Sequence, residues 1–208
     1  MEQILEVYHR PYDPHRPQIC VDERPCQLLG DVLVPVPMAP GKPKREDYEY
    51  QRNGVCTVFL AFEPHTGFRL VEVRKQRTKK DYAAFMYKVA HHPRYAQAEE
   101  IVVVQDNLNT HNPGSFYTLL PAEAAYALGQ RFEMLYTPKK ASWLNMVEIE
   151  FSVLARQCLN RRIGSQDILE REVLAWAEER NQKQAKVHWQ FTVDKARDKF
   201  KRSYPELS

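Results

Sequence analysis

The sequence predicts an α/β fold in which a mixed central sheet carries helices on its faces. The first observation is residues 101–104, four consecutive β-branched residues without polar alternation, which is typical of a strand buried on both faces. The second is a pair of β-rich runs, residues 54–63 and 68–73, separated by a short turn. The third is the helical spacing of apolar residues in residues 79–92 and 144–162. Because one chain contains both strand-like and helix-like segments, we expect helices packed on a sheet.

The first residues of the chain predict a linker that leads into the domain. Residues 1–8 are long enough for one or two helical turns, but three prolines follow before residue 18 and require extended chain, because proline lacks the donor that a helix needs. We therefore expect an N-terminal linker over residues 1–17 and one domain over residues 18–208, a length that a single core accommodates.

The first predicted strand is residues 18–22, a short apolar run that ends at Asp22. Residues 32–37 are expected to continue in extended form, although two prolines prevent a complete hydrogen-bond ladder. Residues 39–52 are polar and basic and predict a surface loop.

A hairpin and a helix follow this loop. Gly67 supplies the positive φ that the turn between residues 54–63 and 68–73 requires, so the two runs are expected to pair. From residue 79 the period changes, and a helix that covers one sheet face is predicted up to Pro93 by four apolar positions: Tyr82, Phe85, Met86 and Val89.

The second half of the chain alternates strands and helices. The buried strand at 101–104 is followed by further predicted elements: helical pieces at 115–120 and 123–128, a strand at 132–136, and helices at 144–162 and 166–183.

Composition bounds the class of protein. With 30 basic and 27 acidic residues the net charge is +3, so any surface for nucleic acid must be local. The four cysteines lack Cys-x-x-Cys spacing and no apolar leader follows Met1, which predicts reduced thiols and a cytoplasmic protein. No apolar run is long enough to span a membrane.

Three carboxylates stand in contexts that predict a metal site. Asp106 directly follows the buried strand, where open α/β sheets hold their ligands. If the strand that ends at Asp22 lies beside it, two like charges come close together and need a cation, and Mg²⁺ prefers such oxygen ligands. Two ions about 4 Å apart could activate a water or a 3′-hydroxyl for in-line displacement at phosphorus, with no covalent enzyme intermediate.

Glu148 is the third carboxylate. It shares a helical stripe with Leu144, Phe151 and Ala155, so we expect it to be buried among apolar side chains, where an unpaired charge is costly. A metal ion would partner it and join the helix to the sheet.

Each acid also has a simpler interpretation. Asp106 before Asn107 fits turn chemistry, Asn145 with Glu148 fits a capping box, and Asp22 fits a solvated strand end. Their conjunction favours the metal site. Zinc is disfavoured because the paired histidines at 91 and 92 lack partners at ligand spacing, and the sequence contains neither a nucleophile elbow nor a Gly-rich phosphate loop.

The same motifs resemble those of the catalytic domain of DDE transposases from six-thirty-type bacterial insertion sequences, in the Tc/mariner superfamily. The resemblance covers nearly the whole chain and is most specific in three motifs: Val21-Asp22-Glu23, Val104-Gln105-Asp106-Asn107 with His111 following, and Ala141-Ser142-Trp143-Leu144-Asn145-Met146-Val147-Glu148.

This resemblance implies a ribonuclease-H-like fold with Asp22, Asp106 and Glu148 as the catalytic, metal-binding triad and Mg²⁺ or Mn²⁺ in a two-metal site. Four further residues match motif positions near the site: Glu23, Asn107, His111 and Asn145. A homodimer on DNA is also implied, since two element ends must be handled together.

The sequence departs from the family in two respects. Only 21 residues precede Asp22, too few for the helix-turn-helix modules of full-length members, so we expect the catalytic half alone and possible dependence on a separate helix-turn-helix polypeptide. The 42 positions from Asp106 to Glu148 also exceed the mariner-type spacing.

Basic residues near these motifs are candidates for binding DNA phosphates: Lys139, Lys140, Arg156, Arg161 and Arg162, with Trp143 as a candidate for base stacking. There are two other basic clusters, at positions 75–80 and 42–45. These two clusters, and the cluster of Arg156, Arg161 and Arg162, also fit ordinary solvated faces. Trp143 also fits core packing.

The sequence thus predicts a metal-dependent transposase domain that cuts DNA at element ends and joins the 3′-hydroxyl to a target. The alternatives are a ribonuclease-H-like nuclease or junction resolvase without strand transfer, and an inactive DNA-binding remnant.

Overall fold

The computed structural model describes residues 1–34, 38–42 and 48–201. Five strands and six α-helices form its framework: α1 (Glu2–His9), β1 (Gln18–Asp31), β2 (Tyr50–Glu63), β3 (Phe68–Arg74), α2 (Lys79–Ala90), β4 (Ile101–Gln105), α3 (Ala122–Gly129), β5 (Phe132–Tyr136), α4 (Val147–Gln157), α5 (Gln166–Gln182) and α6 (Val193–Lys199). Within the described ranges, no helix is both long enough and apolar enough to cross a bilayer.

The strands form one mixed sheet in the order β3-β2-β1-β4-β5. Strand β2 is antiparallel to both of its neighbours, whereas β1, β4 and β5 pair in parallel. The predicted hairpin is confirmed as β2 and β3, and Gly67 in its turn has a φ of 75°. The prediction of a mixed central sheet flanked by helices is confirmed.

Strand β1 is longer than the sequence predicts. It continues nine residues past Asp22 to Asp31, and beyond Cys20 its pairing with β4 ends while its pairing with β2 goes on. The prediction that the strand ends at Asp22 is therefore wrong. Pro25, which argues against a strand interior, is tolerated because β1 is an edge strand at that level and needs no donor toward β4.

The predicted loop at 39–52 also differs, because residues 50–52 belong to β2. Residues 32–34 are not part of a strand, whereas positions 35–37 and 43–47 lie outside the described residues.

Each face of the sheet carries its own apolar core. Strand alternation sends Ile19 and Val103 to the face covered by α2 and α3, and Cys20 and Val104 to the face covered by α1, α4 and α5. All five residues of β4 are buried, which confirms the central strand.

The predicted N-terminal linker contains a helix that belongs to the core. In α1 the side chains of Ile4, Leu5, Val7 and Tyr8 are buried with those of α4 and α5. The hydroxyl of Tyr8 donates a hydrogen bond of 2.7 Å to the carbonyl of Leu144. Helix α1 thus braces the segment that leads into α4.

Helix α4 is shorter than predicted, and it presents a different face to the core. A 3-10 turn at Ser142–Leu144 precedes it, and residues 158–162 lie beyond its end. Its buried residues are Val147, Glu150, Phe151 and Leu154, whereas Glu148 is exposed. The predicted stripe was phased from Leu144, which is not in the helix, so the prediction that Glu148 is buried among apolar side chains is wrong.

The other helices match the sequence patterns, with local differences. Helices α2, α3 and α5 confirm the predictions, and α2 begins with a capping box between Thr78 and Asp81. The helical piece expected at 115–120 is a 3-10 helix, Pro113–Thr118. Helix α6 was not predicted from its short polar sequence.

Candidate active site at the carboxyl ends of β1 and β4

The parallel pairing of β1 with β4 brings Asp22 beside Asp106. Cys20 pairs with Val104, and two residues farther along each chain stand the two aspartates. Adjacent strands lie about 4.8 Å apart, so the two residues occupy neighbouring positions at one level of the sheet. The expected pairing of the two strands is therefore confirmed, although Asp22 lies within β1 rather than at its end, and the close approach of the two carboxylates stays a prediction.

His111 bridges the two strands with its imidazole. Its Nδ1 lies 2.5 Å from Oδ1 of Asp106, and its Nε2 lies 2.7 Å from Oε2 of Glu23. The side chain is buried under the ring of Tyr82, at a centroid distance of 4.9 Å. Since both carboxylates accept, both ring nitrogens donate, and the bridge is that of an imidazolium.

The charges of this bridge follow from its hydrogen bonds. Burial alone would lower the pKa of His111, but the hydrogen bonds to Asp106 and Glu23 outweigh burial and raise that pKa to about 10. The hydrogen bond from His111 in turn holds the pKa of Asp106 below its usual value, and the charge of Arg77 acts in the same direction. Asp106 also accepts a hydrogen bond of 3.2 Å from the backbone N–H of Leu108, so the turn chemistry coexists with the site.

Asp22 is the acid whose negative charge is stabilised least by neighbouring groups. Burial raises the pKa of Asp22 to about 7, against the opposing effect of a hydrogen bond from the backbone N–H of Glu23 at 2.8 Å. No ion pair to this carboxylate occurs in the described part of the chain. A half-buried carboxylate without an ion-pair partner among the described residues fits a divalent cation.

Among the described residues, one set of three potential ligand groups has its atoms within 4.8 Å of one another: Asp22, Glu23 and His111. Because both nitrogens of His111 are engaged with carboxylates, the donors available to a metal are the carboxylate oxygens. An all-oxygen donor set suits Mg²⁺ or Mn²⁺ rather than zinc.

Asn145 joins the segment that leads into Glu148 to β1. The buried side-chain amide of Asn145 donates a hydrogen bond of 3.0 Å to the carbonyl of Val21, the residue before Asp22. The backbone N–H of Glu148 donates to the carbonyl of Asn145, which places Glu148 in the first turn of α4. Its exposed carboxylate lies outside the set of three groups above.

The capping-box interpretation of Asn145 and Glu148 is not realised. Helix α4 has Met146 at its N-cap, without a side-chain capping hydrogen bond. The amide of Asn145 serves the contact with β1 instead. Asn107, the remaining site-adjacent candidate, is exposed directly after Asp106.

The predicted DNA-binding residues fall into two groups. Lys139 and Lys140 are exposed in the loop after β5, and Arg156 is exposed on α4. Arg161 and Arg162 lie beyond α4 and are engaged within the chain: Arg161 pairs with Glu172, and Arg162 lies 2.8 Å from Asp31. In the second basic cluster Lys42 is exposed, whereas positions 44 and 45 lie outside the described residues.

Trp143 belongs to an aromatic cluster formed with the C-terminal segment. Its ring lies nearly parallel to that of Trp189 at 6.4 Å, and it contacts the rings of Phe191 and Phe200. It is still 42% exposed, so packing accounts for one face of the indole.

Sequence reasoning missed the acid that is buried in α4. Glu150 is fully buried between two arginines: it pairs with the equally buried Arg69 of β3 and lies 3.1 Å from Arg180 of α5. Asn181 adds two hydrogen bonds to the backbone of Arg69, at 2.8 and 2.9 Å. The spacing of apolar residues could have predicted this burial, because Glu150 lies three positions after Val147 on the apolar face of the helix.

The comparisons with known proteins identify the family and the fold. The model of the family described as DDE superfamily endonuclease matches residues 17–170. A comparison with curated proteins gave no match. The crystal structure of the Mos1 mariner paired-end complex with Mn is similar at a TM-score of 0.58 and 15% identity, over 88% of this chain and 55% of that chain. The Mos1 strand transfer complex is similar at 0.57 and 14%, over 88% and 54%.

These matches confirm the ribonuclease-H-like fold that the motif resemblance implied. The chain spans about half the length of the solved chains that it matches. Since the family match covers most of the sequence and includes the Asp22, Asp106 and Glu148 motifs, the chain belongs to the DDE superfamily endonuclease family.

Proposed function

We propose that this chain is the catalytic domain of a DNA transposase, which cleaves DNA at element ends and transfers the 3′-hydroxyl to a target strand. The observation that carries the proposal is the parallel pairing of β1, which contains Asp22, with β4, which Asp106 directly follows, together with the hydrogen bond by which Asn145 joins the start of α4 to β1 at Val21. Membership of the DDE endonuclease family and similarity to Mos1 complexes with DNA ends support it.

The roles follow from the surroundings of each acid. Asp22 and Asp106 would hold divalent cations, Mg²⁺ or Mn²⁺, and Glu148 would complete a second metal site from the exposed first turn of α4. When bound, such a cation pair supplies activation of the attacking oxygen and stabilisation of the departing one.

The protein's own contribution is to orient these carboxylates. His111 restrains one oxygen of Asp106 and leaves the other available, and the same imidazolium holds Glu23. Asn145 fixes the distance between β1 and the first turn of α4. The carboxylates are thereby preorganised, which lowers the cost of arranging them around cations.

The partners follow from the reaction. The substrates would be the element ends and a target DNA, a homodimer would handle two ends together, and a separate helix-turn-helix polypeptide could read the end sequence. We propose a cytoplasmic location, at the nucleoid when the protein acts.

Nicking of supercoiled plasmid in Mn²⁺ tests the catalytic assignment. Asp106→Asn, Asp22→Asn and Glu148→Gln are each expected to abolish nicking, while circular dichroism shows that the variants are folded. Glu123→Gln is the matched control, because Glu123 is an exposed acid in the first turn of α3. Equal nicking by Asp106→Asn and wild type would remove Asp106 from the mechanism.

Strand transfer needs its own assay. Pre-cut element ends with free 3′-hydroxyls are incubated with a target plasmid and Mn²⁺, and joined products are scored. Joined products that depend on Asp106 support the transposase. Nicking without joining would identify a nuclease, and neither activity would identify an inactive remnant.

A further inference from the structure

Four cations at the start of α2 border the acid site: Lys75, Arg77, Lys79 and Lys80, here called the β3–α2 basic surface. Strand β3 runs parallel to β1 and β4, because both β1 and β3 are antiparallel to β2. The carboxyl ends of β3 and β4 therefore lie at the same end of the sheet. The chain leaves β3 at that end, as it does after β4, where Asp106 follows.

Tyr82 fixes the first turn of α2 against the site. Its hydroxyl donates a hydrogen bond of 2.8 Å to Oε1 of Gln105, the residue before Asp106, and its ring packs on His111. Lys79 and Lys80 are exposed in the same first turn of α2, and Lys79, three positions before Tyr82, lies on the side of the helix that carries Tyr82.

The cations of this surface have no ion-pair partner in the described part of the chain. All four side chains are exposed, and none has an ion-pair partner among the residues that the structure describes. The neighbouring acids are already engaged: Glu72 pairs with Arg74 and Lys88, and Asp81 pairs with Arg74 and caps α2 through Thr78.

The lack of ion-pair partners among the described residues distinguishes the β3–α2 basic surface from Arg161 and Arg162. Those two arginines form ion pairs with Glu172 and Asp31. Four exposed cations within six residues, without an ion-pair partner among the described residues, are a strong local excess in a chain with a net charge of only +3. A polyanion bound along this surface could pair with these cations without breaking an ion pair among the described residues.

We propose that the β3–α2 basic surface binds the phosphodiester backbone of the DNA strand whose scissile phosphate lies at the acid site. This inference rests on the proposed function, since it takes DNA to be the molecule held there. The contacts are to phosphates, so the surface positions the strand without reading its sequence.

The test is the salt dependence of DNA binding by the full chain. Fluorescence anisotropy of a short fluorescein-labelled duplex, in EDTA to prevent cleavage, gives the affinity of wild type and Lys79→Gln/Lys80→Gln between 50 and 200 mM salt. Each phosphate contact contributes about 0.9 to the slope of log affinity against log salt, so the variant's slope is expected to be shallower by about 1.8. Across this salt range the affinity of the variant then falls about 12-fold less than that of wild type.

Two further variants separate charge at this surface from charge in general. Arg171→Gln/Lys183→Gln, the α5 control, removes one exposed cation from α5 and one from its C-cap and is expected to keep the wild-type slope. Lys79→Arg/Lys80→Arg keeps the charges and is expected to retain the slope as well.

The outcomes distinguish this inference from the proposed function. If wild type nicks DNA and Lys79→Gln/Lys80→Gln keeps the wild-type slope, or if the α5 control loses as much slope, the surface assignment is overturned while the function stands. If the slope falls as expected but Asp106→Asn nicks like wild type, the surface stands and the catalytic assignment falls. If wild type neither binds nor nicks DNA, both are overturned.

Discussion

Glu148 and Glu150 stand two positions apart in α4, and the structure predicts opposite consequences for their replacement by glutamine. Glu150 is fully buried against Arg69, which is also fully buried, and against Arg180. Removing one partner of a buried ion pair leaves an uncompensated charge and costs about 3–5 kcal/mol. Glutamine keeps one acceptor for Arg69, so we expect the lower end, about 3 kcal/mol of unfolding free energy. For a chain of 208 residues this lowers Tm by about 6–12 °C.

Glu148→Gln is the internal control for that measurement. Its side chain is exposed, so the unfolding free energy is expected to change by less than about 0.5 kcal/mol, while nicking in Mn²⁺ is lost. Urea denaturation followed by circular dichroism gives the free energies, and the plasmid assay gives the activities. A loss below about 1 kcal/mol in Glu150→Gln, or a comparable loss in Glu148→Gln, would refute the assignment of the two glutamates to structure and to chemistry.

Three further predictions concern the site. Asn145→Ala is expected to cost about 1–3 kcal/mol in urea denaturation, because the carbonyl of Val21 loses its buried donor, and to reduce nicking as α4 loosens; unchanged stability would contradict the tether. His111→Gln is expected to raise the Mn²⁺ concentration for half-maximal nicking by about 10–100-fold, because Asp106 loses an orienting partner; an unaltered metal titration would contradict that role. EDTA is expected to abolish nicking, with recovery on adding Mn²⁺ or Mg²⁺, because the proposed chemistry depends on divalent cations held by carboxylate oxygens; nicking that persists in EDTA would count against the metal site.

The central strand and the hairpin could be predicted because their signals are local. Residues 101–104 carry a run that only a doubly buried strand explains, and Gly67 marks the turn between β2 and β3. The extension of β1 past Asp22 could not be predicted in this way. It depends on β2 as a distant partner, and Pro25 argues against a strand in any local analysis.

The candidate site could be predicted in its residue types but not in its internal contacts. Asp22, Asp106 and Glu148 were selected by motif, and His111 was assigned only to the neighbourhood. Its bridge to Glu23 spans 88 positions, a separation over which spacing in the chain carries no information. The phase of α4 failed for a related reason: Leu144 extends the apolar pattern in sequence, but it lies in a 3-10 turn before the helix.

In the proposed triad, the two aspartates and the glutamate are positioned by different interactions. This difference determines how each responds to substitution of the surrounding residues. Asp22 and Asp106 are placed by the backbone ladder between β1 and β4, which depends little on any single side chain. Glu148 depends on side chains, because α4 is joined to the sheet through Asn145 and through the ion cluster of Glu150. Substitutions in these supports should therefore impair the contribution of Glu148 while leaving the aspartate pair in place. In such variants the metal held by the two aspartates should bind as in wild type while nicking falls, which isothermal titration with Mn²⁺ beside the plasmid assay would resolve.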